Sequence, residues 1–471
     1  MRVKNSSPQN IVPSWVSDAV FYQIFPERFE NGDITNDPPK VEQWGKPPKP
    51  NNYFGGDLQG IINRLGHLKR LGVNAIYLNP IFAANSNHKY NTTDYSQIDP
   101  SFGTNDLFDK FILSCNANNI NVVLDGVFNH VGTEHFAFKD VVAKGADSKY
   151  ASWFNIYSFP VAPPNKPNYE CWWGHGSLPK LMVQNPEVKE YIFTVAKYWT
   201  TKINGWRLDV PNEVPHEFWK EFRQKIKLWN PHCYIVGEIW NDASAWLQGD
   251  EFDGVMNYRF RSACLDYFAD DKIRTAQFDK QLEEIRNSYS KENNLAMLNL
   301  LGSHDTERYM TLCQRELWRV KLSIIFQMMY MGAPMIYYGD EIGMEGGKDP
   351  DCRRTMIWDE KKWDMELFEL YQKLIQIRYT SSALRKGTFK TLVADDKLKV
   401  FAFERRMNDN LAYVVLNRRE KMMKVDLTVH TAIKEIVDEF SGQTYQTNDG
   451  TAIVDMPGRS ARIFITKIEE E

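Results

Sequence analysis

The sequence predicts an α/β fold: a (β/α)8 TIM barrel with a small excursion after its third strand, followed by a C-terminal all-β sandwich. Eight short apolar runs alternate with helix-sized segments, one connection is far longer than the others, and the alternation stops after residue 385. Alternating β and α segments favour a parallel sheet, and eight such units favour a closed barrel. The runs span residues 20–25, 75–78, 122–127, 205–210, 234–239, 254–258, 295–300 and 334–338.

The segments between the runs are predicted to be helices. Residues 185–201 and 217–228 show amphipathic patterns with helical spacing. An open, doubly wound sheet is the alternative arrangement of the same elements. Its nucleotide-binding form carries a glycine-rich phosphate turn after the first strand, and no such turn follows residues 20–25. The closed barrel is therefore the preferred prediction.

The long connection, residues 131–185, is rich in Pro, Trp, Gly and Lys. A loop of this length inside a compact domain is usually functional, and we expect a small domain B that forms one wall of a site. After residue 385, short alternating strands such as 400–404 and 411–416 follow one another without helices. This pattern predicts a β-sandwich domain over residues 386–471, behind a barrel domain over residues 1–385.

Composition excludes several classes of partner. With 57 Lys plus Arg against 61 Asp plus Glu, the net charge of −4 gives no basic surface for nucleic acid or an anionic membrane. The most apolar long stretch, residues 322–338, is interrupted by Gln327, Gly332 and Pro334, which argues against a membrane span. The six cysteines form no CxxC pair, and the first eight residues lack the apolar segment of a signal peptide. We therefore expect a cytoplasmic protein.

Three carboxylates each end one of the apolar runs: Asp209, Glu238 and Asp305. Burying an unpaired carboxylate is costly, and a single one is usually the structural partner of an arginine. Arg207 lies two residues before Asp209, on the same face of its strand, where it can keep that carboxylate ionised. Three carboxylates at the same end of three strands indicate a site that needs clustered negative charge. Glycoside hydrolysis needs such a cluster, with one nucleophile and one proton donor.

Four ordered motifs carry a resemblance to a known family. They are Asp-Gly-Val-Phe-Asn-His at 125–130, Gly-Trp-Arg-Leu-Asp at 205–209, Val-Gly-Glu at 236–238 and Gly-Ser-His-Asp at 302–305. They resemble the four signature regions of the α-amylase family, glycoside hydrolase family 13, and the resemblance covers essentially the whole chain. Five further segments are similar to the cyclomaltodextrinase, neopullulanase and maltogenic amylase subfamily: residues 19–29, 53–60, 86–90, 178–181 and 205–213.

The resemblance implies a role for each matching residue. Asp209 matches the nucleophile, Glu238 the general acid/base, and Asp305 the third carboxylate of a retaining mechanism. Further matching residues are implied to bind the sugar at subsite −1, where the bond is cleaved. These are Tyr90, which stacks beneath the sugar, and His130, Arg207, His304, Asp349 and Arg353.

The expected activity is hydrolysis of α-1,4 glucosidic bonds, with α-1,6 bonds as an open alternative, in cyclodextrins, pullulan-type glucans or short malto-oligosaccharides. A transglycosylase or exo-acting α-glucosidase is the alternative on the same fold, and a non-catalytic carbohydrate-binding or scaffold barrel is a third. Trp172, Trp173 and Trp240 are interpreted either as packing residues or as outer sugar subsites. The subfamily pattern is broken at three positions near the subsites, so the preferred substrate stays open: Asn91, Met182 and Asn241.

A structural calcium site is the one metal prediction. A cluster of Asn, Asp and Gly offers hard oxygen ligands in two neighbouring loops, although such clusters also form plain turns. The subfamily resemblance implies calcium at these positions, away from the catalytic residues. The predicted ligands are Asn31, Asp33, Asn36, Asp37, Gly55 and Asp57.

The start of the chain suggests an expectation about assembly. Members of the subfamily commonly carry an additional β-sandwich before the barrel, which contributes to a dimer and narrows the cleft. Here the first predicted strand begins at residue 20. We therefore expect a monomer, or a dimer not built on an N-terminal sandwich, with an α-glucan oligosaccharide as its substrate.

Overall fold

The computed structural model describes residues 12–468. The first eight residues, on which the prediction about a signal peptide rests, therefore lie outside the described range. Within this range, ten strands precede the C-terminal domain. They are β1 (Phe21–Ile24), β2 (Ala75–Leu78), β3 (Phe82–Ala84), β4 (Thr92–Ile98), β5 (Asn121–Gly126), β6 (Gly205–Leu208), β7 (Tyr234–Gly237), β8 (Gly254–Val255), β9 (Leu298–Leu300) and β10 (Ala333–Tyr337).

Eight of these strands form one parallel sheet that closes into the predicted barrel. Its order is β8-β7-β6-β5-β2-β1-β10-β9, and a parallel bridge between Met256 and Leu298 joins its two edges. Each predicted run overlaps one barrel strand. The largest differences are at the runs 254–258 and 295–300, because β8 ends at Val255 and β9 begins only at Leu298. In the run 254–258 the Asn257 side chain accepts a hydrogen bond from Phe260 N, which starts a helix and ends the strand.

Helices surround the barrel and separate its strands. The two segments predicted from helical spacing are helices within one residue of their predicted ends. The helices are α1 (Pro26–Phe29), α2 (Leu58–Asn63), α3 (Leu65–Leu71), α4 (Asn105–Ala117), α5 (Phe136–Lys144), α6 (Pro186–Thr200), α7 (His216–Trp229), α8 (Tyr258–Cys264), α9 (Thr275–Ser288), α10 (Lys291–Leu295), α11 (Tyr309–Leu312), α12 (Leu317–Met329), α13 (Met365–Thr380) and α14 (Ser382–Lys386). Among the helices of residues 12–468, none combines the length and the hydropathy needed to cross a bilayer.

The amino end of the barrel is closed by packed aromatic side chains. Trp15 lies 5.8 Å from Phe21 and 6.0 Å from Tyr234, measured between ring centroids. Its indole N–H also donates to the carbonyl of His232 at 3.0 Å. Buried apolar side chains fill the interior above this plug. The opposite, carboxyl end of the strands is left for polar side chains, as in other barrels of this class.

Two insertions build up the carboxyl end. Strands β3 and β4 pair antiparallel after β2, a hairpin that the sequence reading did not identify. The excursion between β5 and α6 contains α5, and isolated bridges pair Cys171 with Pro179 and His130 with Lys180. The second bridge fixes the excursion directly to the residues that follow β5.

The C-terminal part consists of two antiparallel four-stranded sheets, ordered β11-β12-β13-β18 and β14-β17-β16-β15. Their facing sides enclose an apolar core. The outer side of the first sheet packs on the barrel, where Phe401 lies 5.4 Å from Phe278 and 6.0 Å from Phe326. The strands are β11 (Thr388–Asp395), β12 (Val400–Met407), β13 (Asn410–Asn417), β14 (Met423–Thr428), β15 (Glu435–Val437), β16 (Thr444–Asn448), β17 (Thr451–Met456) and β18 (Ser460–Lys467).

Two buried arginines lie where the barrel meets this sheet, and one of them, Arg405, bonds across the junction. Arg378 in α13 donates to the carbonyls of Met328, Tyr330, Leu384 and Gly332 at 2.6–3.3 Å. Arg405 in β12 donates to three further carbonyls around the same chain segment, and both guanidinium groups are fully buried. The acceptors of Arg405 are the carbonyls of Met329, Gly387 and Thr388.

Candidate active site

A cleft of about 940 Å³ opens at the carboxyl end of the barrel. Its floor is formed by residues that follow barrel strands, and one wall belongs to the excursion after β5. Every residue predicted for catalysis or for sugar binding lines this cleft, apart from Arg207, which lies beneath it. The predicted residues in the lining are Tyr90, His130, Asp209, Glu238, His304, Asp305, Asp349 and Arg353.

Arg207 lies at the centre of the cleft floor and is fully buried. One guanidinium nitrogen, Nη1, lies 2.9 Å from Asp125 Oδ1 and 2.8 Å from Asp209 Oδ1. The other, Nη2, lies 2.8 Å from Glu238 Oε2. Because one cation contacts three carboxylates, it partly offsets their mutual repulsion and holds Asp209 and Glu238 beside each other.

Asp125 was not singled out by the sequence reading, although it begins the motif at 125–130. It is buried, and its Oδ2 accepts hydrogen bonds from the hydroxyls of Tyr77 at 2.6 Å and Tyr90 at 2.9 Å. Together with its contact to Arg207, these bonds satisfy both oxygens of the carboxylate. Asp125 therefore orients Tyr90 and Arg207 from below. The signal that could have found it is a carboxylate at the end of the third apolar run.

His304 and Tyr90 form a second fixed pair in the cleft. Their rings stack with centroids 5.6 Å apart, and Tyr90 Oη lies 2.7 Å from His304 Nε2. The amide nitrogen of Gln23 lies 2.8 Å from His304 Nδ1 and can only donate to it. His304 is therefore a neutral tautomer that carries its proton on Nε2, and burial lowers its pKa well below the usual value.

His130 faces the cleft from the other side. Burial lowers the pKa of His130 to about 3, so the ring is neutral at physiological pH. Its Nε2 atom is buried and has no hydrogen-bond partner within residues 12–468. Buried ring nitrogens of this kind are normally paired. A bound hydroxyl group would supply the missing partner.

Asp305 follows β9 and faces residues of the segment after β10. Its carboxylate is 3.4 Å from Arg353 Nη2, and Arg353 Nη1 is 3.2 Å from Asp349 Oδ1. The Nε of Arg353 also donates to the His304 carbonyl at 2.9 Å, which fixes the guanidinium. The sequence links Asp349 and Arg353 to this site only through the family resemblance, and the structure places both beside Asp305.

Two carboxylates of the cleft, Asp209 and Asp305, have a raised pKa. Burial raises the pKa of Asp209 well above its usual value, with Arg207 opposing the shift and neighbouring acids adding to it. Burial and the nearby Glu238 raise the pKa of Asp305 to about 7, against the opposing charges of Arg353 and Arg207. Burial therefore favours the protonated form of both groups, and the nearby guanidinium charges favour the ionised form.

The raised pKa of Asp305 predicts a pH-dependent effect of Asp305→Asn on stability. Between about pH 4 and pH 7 the folded protein keeps a proton that the unfolded chain releases, so this group's contribution to the free energy of unfolding falls as pH rises. Asparagine does not titrate. We compare the melting temperature of Asp305→Asn with that of the unsubstituted protein at each pH. The variant's melting temperature minus that of the unsubstituted protein should therefore be larger at pH 8 than at pH 4.5. Scanning calorimetry measures this, with the exposed Glu283→Gln as control, and a difference independent of pH would contradict the assignment.

Glu238 accepts two hydrogen bonds in addition to its ion pair with Arg207. Besides Arg207, the backbone N–H of Val210 lies 3.1 Å from its Oε2, and Trp240 Nε1 lies 3.1 Å from its Oε1. Val210 has φ of +36°, a left-handed conformation that is strained for a β-branched residue. Such strain persists where the surroundings enforce it, often at functional sites. Here it directs a backbone N–H at Glu238, and nothing in the sequence indicated it.

The outer cleft carries the three tryptophans whose role the sequence left open. Trp240 stacks on Tyr258 at 3.7 Å between ring centroids, and Trp172 and Trp173 stack on each other at 5.0 Å. All three tryptophans line the cleft. Asn91 and Asn241, which depart from the subfamily pattern, also lie in the lining, so these two departures affect the substrate-binding surface.

The predicted calcium ligands lie together in two loops. Asn31 Nδ2 donates to Asp37 Oδ1 at 2.8 Å, and Asn36 Nδ2 donates to Asp57 Oδ2 at 3.1 Å. The amide oxygens of Asn31 and Asn36 are buried without a partner among the described residues. A side chain at Gly55 would collide with Asp37 and Asn31, so a glycine leaves this space open. These features fit a cation bound by oxygen atoms.

Carboxylates alone do not define this calcium candidate. Within residues 12–468, no group of three or more His, Cys, Asp or Glu side chains is arranged to hold a metal. A cation between the two loops would therefore depend on the two amide oxygens as well as on Asp33, Asp37 and Asp57. Burial raises the pKa of both Asp37 and Asp57, as expected for carboxylates without a full set of charged partners.

Comparisons with known proteins agree with this geometry. The family description "Alpha amylase, catalytic domain" matches residues 23–387, and "Maltogenic Amylase, C-terminal domain" matches residues 389–463. A cyclomaltodextrinase from Thermoanaerobacter pseudethanolicus is 50% identical over 415 residues, 87% of this chain and 71% of the relative. Neopullulanase 2 from Thermoactinomyces vulgaris is 49% identical over 421 residues, 88% of this chain and 72% of the relative.

A solved structure extends the similarity to three dimensions. The ligand-free cyclic α-maltosyl-(1→6)-maltose hydrolase from Arthrobacter globiformis superposes with a TM-score of 0.90 at 40% identity, covering 97% of this chain and 100% of that one. The barrel, the ordered motifs and both family matches lead to one assignment. The chain belongs to the α-amylase family, the glycoside hydrolases of family 13.

Proposed function

We propose that this protein is a retaining α-glucan hydrolase that acts on cyclic and short malto-oligosaccharides. One observation carries the proposal: Asp209 and Glu238, at the ends of adjacent strands β6 and β7, both contact the guanidinium of Arg207. Retaining glycosidases need two carboxyl groups close to one bond, one as nucleophile and one as proton donor. The names of the relatives support this activity, because two of them name a cyclic maltose-containing glucan and the third names pullulan as the substrate.

The proposed reaction has two steps. Asp209 attacks the anomeric carbon and forms a covalent glycosyl-enzyme, while Glu238 donates its proton to the departing glycosidic oxygen. Glu238 then removes a proton from water, whose oxygen attacks the same carbon and releases Asp209. Arg207 favours the ionised form of Asp209, and the neutral His130 and His304 are placed to bind hydroxyls of the sugar.

Product analysis tests the proposal and separates it from its alternatives. β-Cyclodextrin, pullulan and maltotriose should each be incubated with the protein, and the products resolved by chromatography. We expect maltose and glucose from both β-cyclodextrin and maltotriose. The product from pullulan, either panose or maltotriose, would show which linkage is cleaved. Products longer than the maltotriose substrate would favour the transglycosylase alternative. Glucose and maltose from maltotriose with no product from β-cyclodextrin, which has no chain end, would favour an exo-acting α-glucosidase. No product from any substrate would contradict a hydrolase.

We also propose that the two loops around Gly55 bind a structural calcium ion. The unpartnered amide oxygens of Asn31 and Asn36 support this, together with the carboxylates of Asp33, Asp37 and Asp57. When bound, the ion would supply positive charge that holds the two loops together. No step of the proposed reaction passes through it.

Removal of calcium should lower stability and leave catalysis intact. Excess EDTA should lower the melting temperature, and added calcium should restore it by mass action, because the ion binds the folded state. Activity per folded molecule should change little. In Asp37→Asn, which keeps the shape of the side chain but removes its charge, the response to calcium should weaken strongly. An unchanged melting temperature in EDTA, with no metal found by elemental analysis, would contradict the calcium site and mean that these loops form plain turns.

We place the protein in the cytoplasm as a further proposal. All six cysteines are free thiols, and five of them are buried, a state that suits a reducing compartment. Fractionation of the source cells tests this, and activity in the culture medium would contradict it. The number of subunits in solution stays a prediction, which light scattering would measure.

A further inference from the structure

A glutamine lies buried beneath the cleft, where parallel strands usually carry apolar side chains. Gln23, in β1, is fully buried and does not line the cleft. Its amide nitrogen Nε2 lies 2.8 Å from His304 Nδ1 and 3.1 Å from Asn79 Oδ1, while its Oε1 has no hydrogen-bond partner within residues 12–468. A buried amide oxygen without a partner is costly. A glutamine kept at this cost indicates that its amide nitrogen has a function.

Asp125 sets the direction of the hydrogen bonds around Gln23. Arg207 Nη1 donates to both carboxylate oxygens of Asp125, and Tyr77 donates its hydroxyl proton to Oδ2. With these donors around it, Asp125 also accepts from Tyr90, whose Oη lies 2.9 Å from Oδ2. A tyrosine hydroxyl has only one proton to give. Tyr90 Oη therefore accepts from its other neighbours.

Those neighbours are Asn79 and His304, and each of them has to donate. Asn79 Nδ2 lies 3.0 Å from Tyr90 Oη, and His304 Nε2 lies 2.7 Å from it. Because Asn79 directs its amide nitrogen at Tyr90, it directs its amide oxygen at Gln23, which donates to that oxygen. The second N–H of the Gln23 amide then donates to His304 Nδ1. The four side chains form a closed ring of hydrogen bonds in which His304 carries its proton on Nε2.

This direction decides what His304 offers to a bound hydroxyl group. His304 Nε2 lies 3.2 Å from Asp305 Oδ2, and both residues line the cleft. A hydroxyl bound between them accepts from the ring N–H and donates its one proton to the carboxylate. With the ring proton on Nδ1, the same hydroxyl would meet two acceptors and could donate to only one of them.

We propose that Gln23, with its amide oriented by Asn79, is a positioning residue that keeps His304 a hydrogen-bond donor towards the cleft. Gln23 does not line the cleft, so it acts through His304, and the catalytic part of the inference rests on the proposed hydrolase function. A sugar hydroxyl at the cleaved bond is then held by a fixed donor and a fixed acceptor. Groups fixed in advance stabilise a transition state without having to reorganise.

The tautomer of His304 can be measured in the native protein. With ¹⁵N-labelled histidine, long-range ¹H–¹⁵N NMR separates protonated from unprotonated ring nitrogens and distinguishes Nδ1 from Nε2. The spectrum of His304→Gln identifies the signals of His304 by their absence. At about pH 7 we expect a neutral ring with its proton on Nε2. A proton on Nδ1, alone or together with one on Nε2, would overturn the inference.

Gln23→Glu tests whether Gln23 controls this tautomer. The glutamate keeps the shape of the side chain but replaces both N–H donors with an acceptor, so His304 Nδ1 has to take up a proton, which the spectrum should show. The ratio kcat/KM should fall about a hundredfold on both maltotriose and α-glucosyl fluoride, mainly through kcat, because each substrate places a sugar beside His304. Gln23→Met removes the donors without adding an acceptor. It should lose only about tenfold, since the contact of Nε2 with Tyr90 still favours the same tautomer.

Gln327→Glu is the matched control. Gln327, in α12, is also buried, its Oε1 likewise has no partner in the described part of the chain, and its Nε2 donates to the carbonyls of Asn299 and Met335 at 2.9 Å. It does not line the cleft. This variant should lower the melting temperature as Gln23→Glu does, with the activity per folded molecule and the His304 signals unchanged.

The contrary outcomes are distinct. Full activity per folded molecule in Gln23→Glu, or an equal loss in Gln327→Glu, would overturn the inference. So would a Gln23→Glu protein that loses activity while His304 keeps its only proton on Nε2. If Gln23→Glu does not fold, full activity in Gln23→Met or a native ring protonated on Nδ1 would overturn it instead. A native protein inactive on both substrates would contradict the proposed function itself, whereas the spectrum would still report the tautomer.

Discussion

Asp209→Asn should reduce turnover of every glucan substrate by at least about four orders of magnitude, because the amide cannot form the glycosyl-enzyme. The fold should survive the change. The shape of the side chain is kept, and the substitution removes a buried carboxylate whose pKa burial already raises. Arg207 would keep its contacts with Asp125 and Glu238.

Steady-state rates on maltotriose and α-glucosyl fluoride would measure this loss, with circular dichroism and the melting temperature as checks on folding. Asp250→Asn, which changes an exposed carboxylate paired with Lys220 on the surface, is the matched control and should retain full activity. Residual activity above about one per cent on α-glucosyl fluoride would exclude Asp209 as the nucleophile.

Glu238→Gln should separate substrates by their need for a proton. On maltotriose the leaving oxygen must be protonated, and the rate should fall by about three orders of magnitude. Fluoride departs without protonation, so the first step with α-glucosyl fluoride should lose far less. The single amide oxygen of the glutamine can still accept one of the two hydrogen bonds that Val210 and Trp240 donate to the carboxylate, which helps to keep the side chain in place.

Pre-steady-state kinetics would test this directly. The burst of fluoride release from α-glucosyl fluoride should persist in Glu238→Gln, while the second step slows because water loses its general base. Added azide, a nucleophile that needs no base, should speed that second step. If maltotriose and α-glucosyl fluoride lost activity equally in the first step, another residue would have to be the proton donor.

Much of the fold could be predicted because its signals are local. A buried parallel strand reads as a short apolar run, and β2 at Ala75–Leu78 matches its predicted run at both ends. The hairpin of β3 and β4 gave no such signal: only three of seven residues in β4 are buried, and its pairing with β3 contains two register shifts. Strands that pair irregularly at a surface depend on contacts that no short window of sequence contains.

The residues of the candidate site likewise fall into those that the sequence predicts and those that it does not. Asp209, Glu238 and Asp305 could be found because each comes at or just after the end of an apolar run, where a charge is costly. The left-handed backbone of Val210 and the stack of His130, Trp172 and Trp173 could not be found. They depend on the conformation of one residue and on a contact between the floor and the excursion. Sequence spacing encodes neither.

The arginine contacts at the base of the C-terminal domain have a consequence for how the protein melts. Arg405 belongs to the sandwich, yet it completes the hydrogen bonding of Met329 at the end of a barrel helix and of Gly387 and Thr388 at the junction. The junction between the two domains therefore lies inside a shared set of buried bonds. A chain cut at Gly387 would leave buried carbonyls unpaired, so the barrel depends on the sandwich to finish folding. We therefore expect the two domains to melt together, so that the thermal stability of the cleft depends partly on a domain that does not line it.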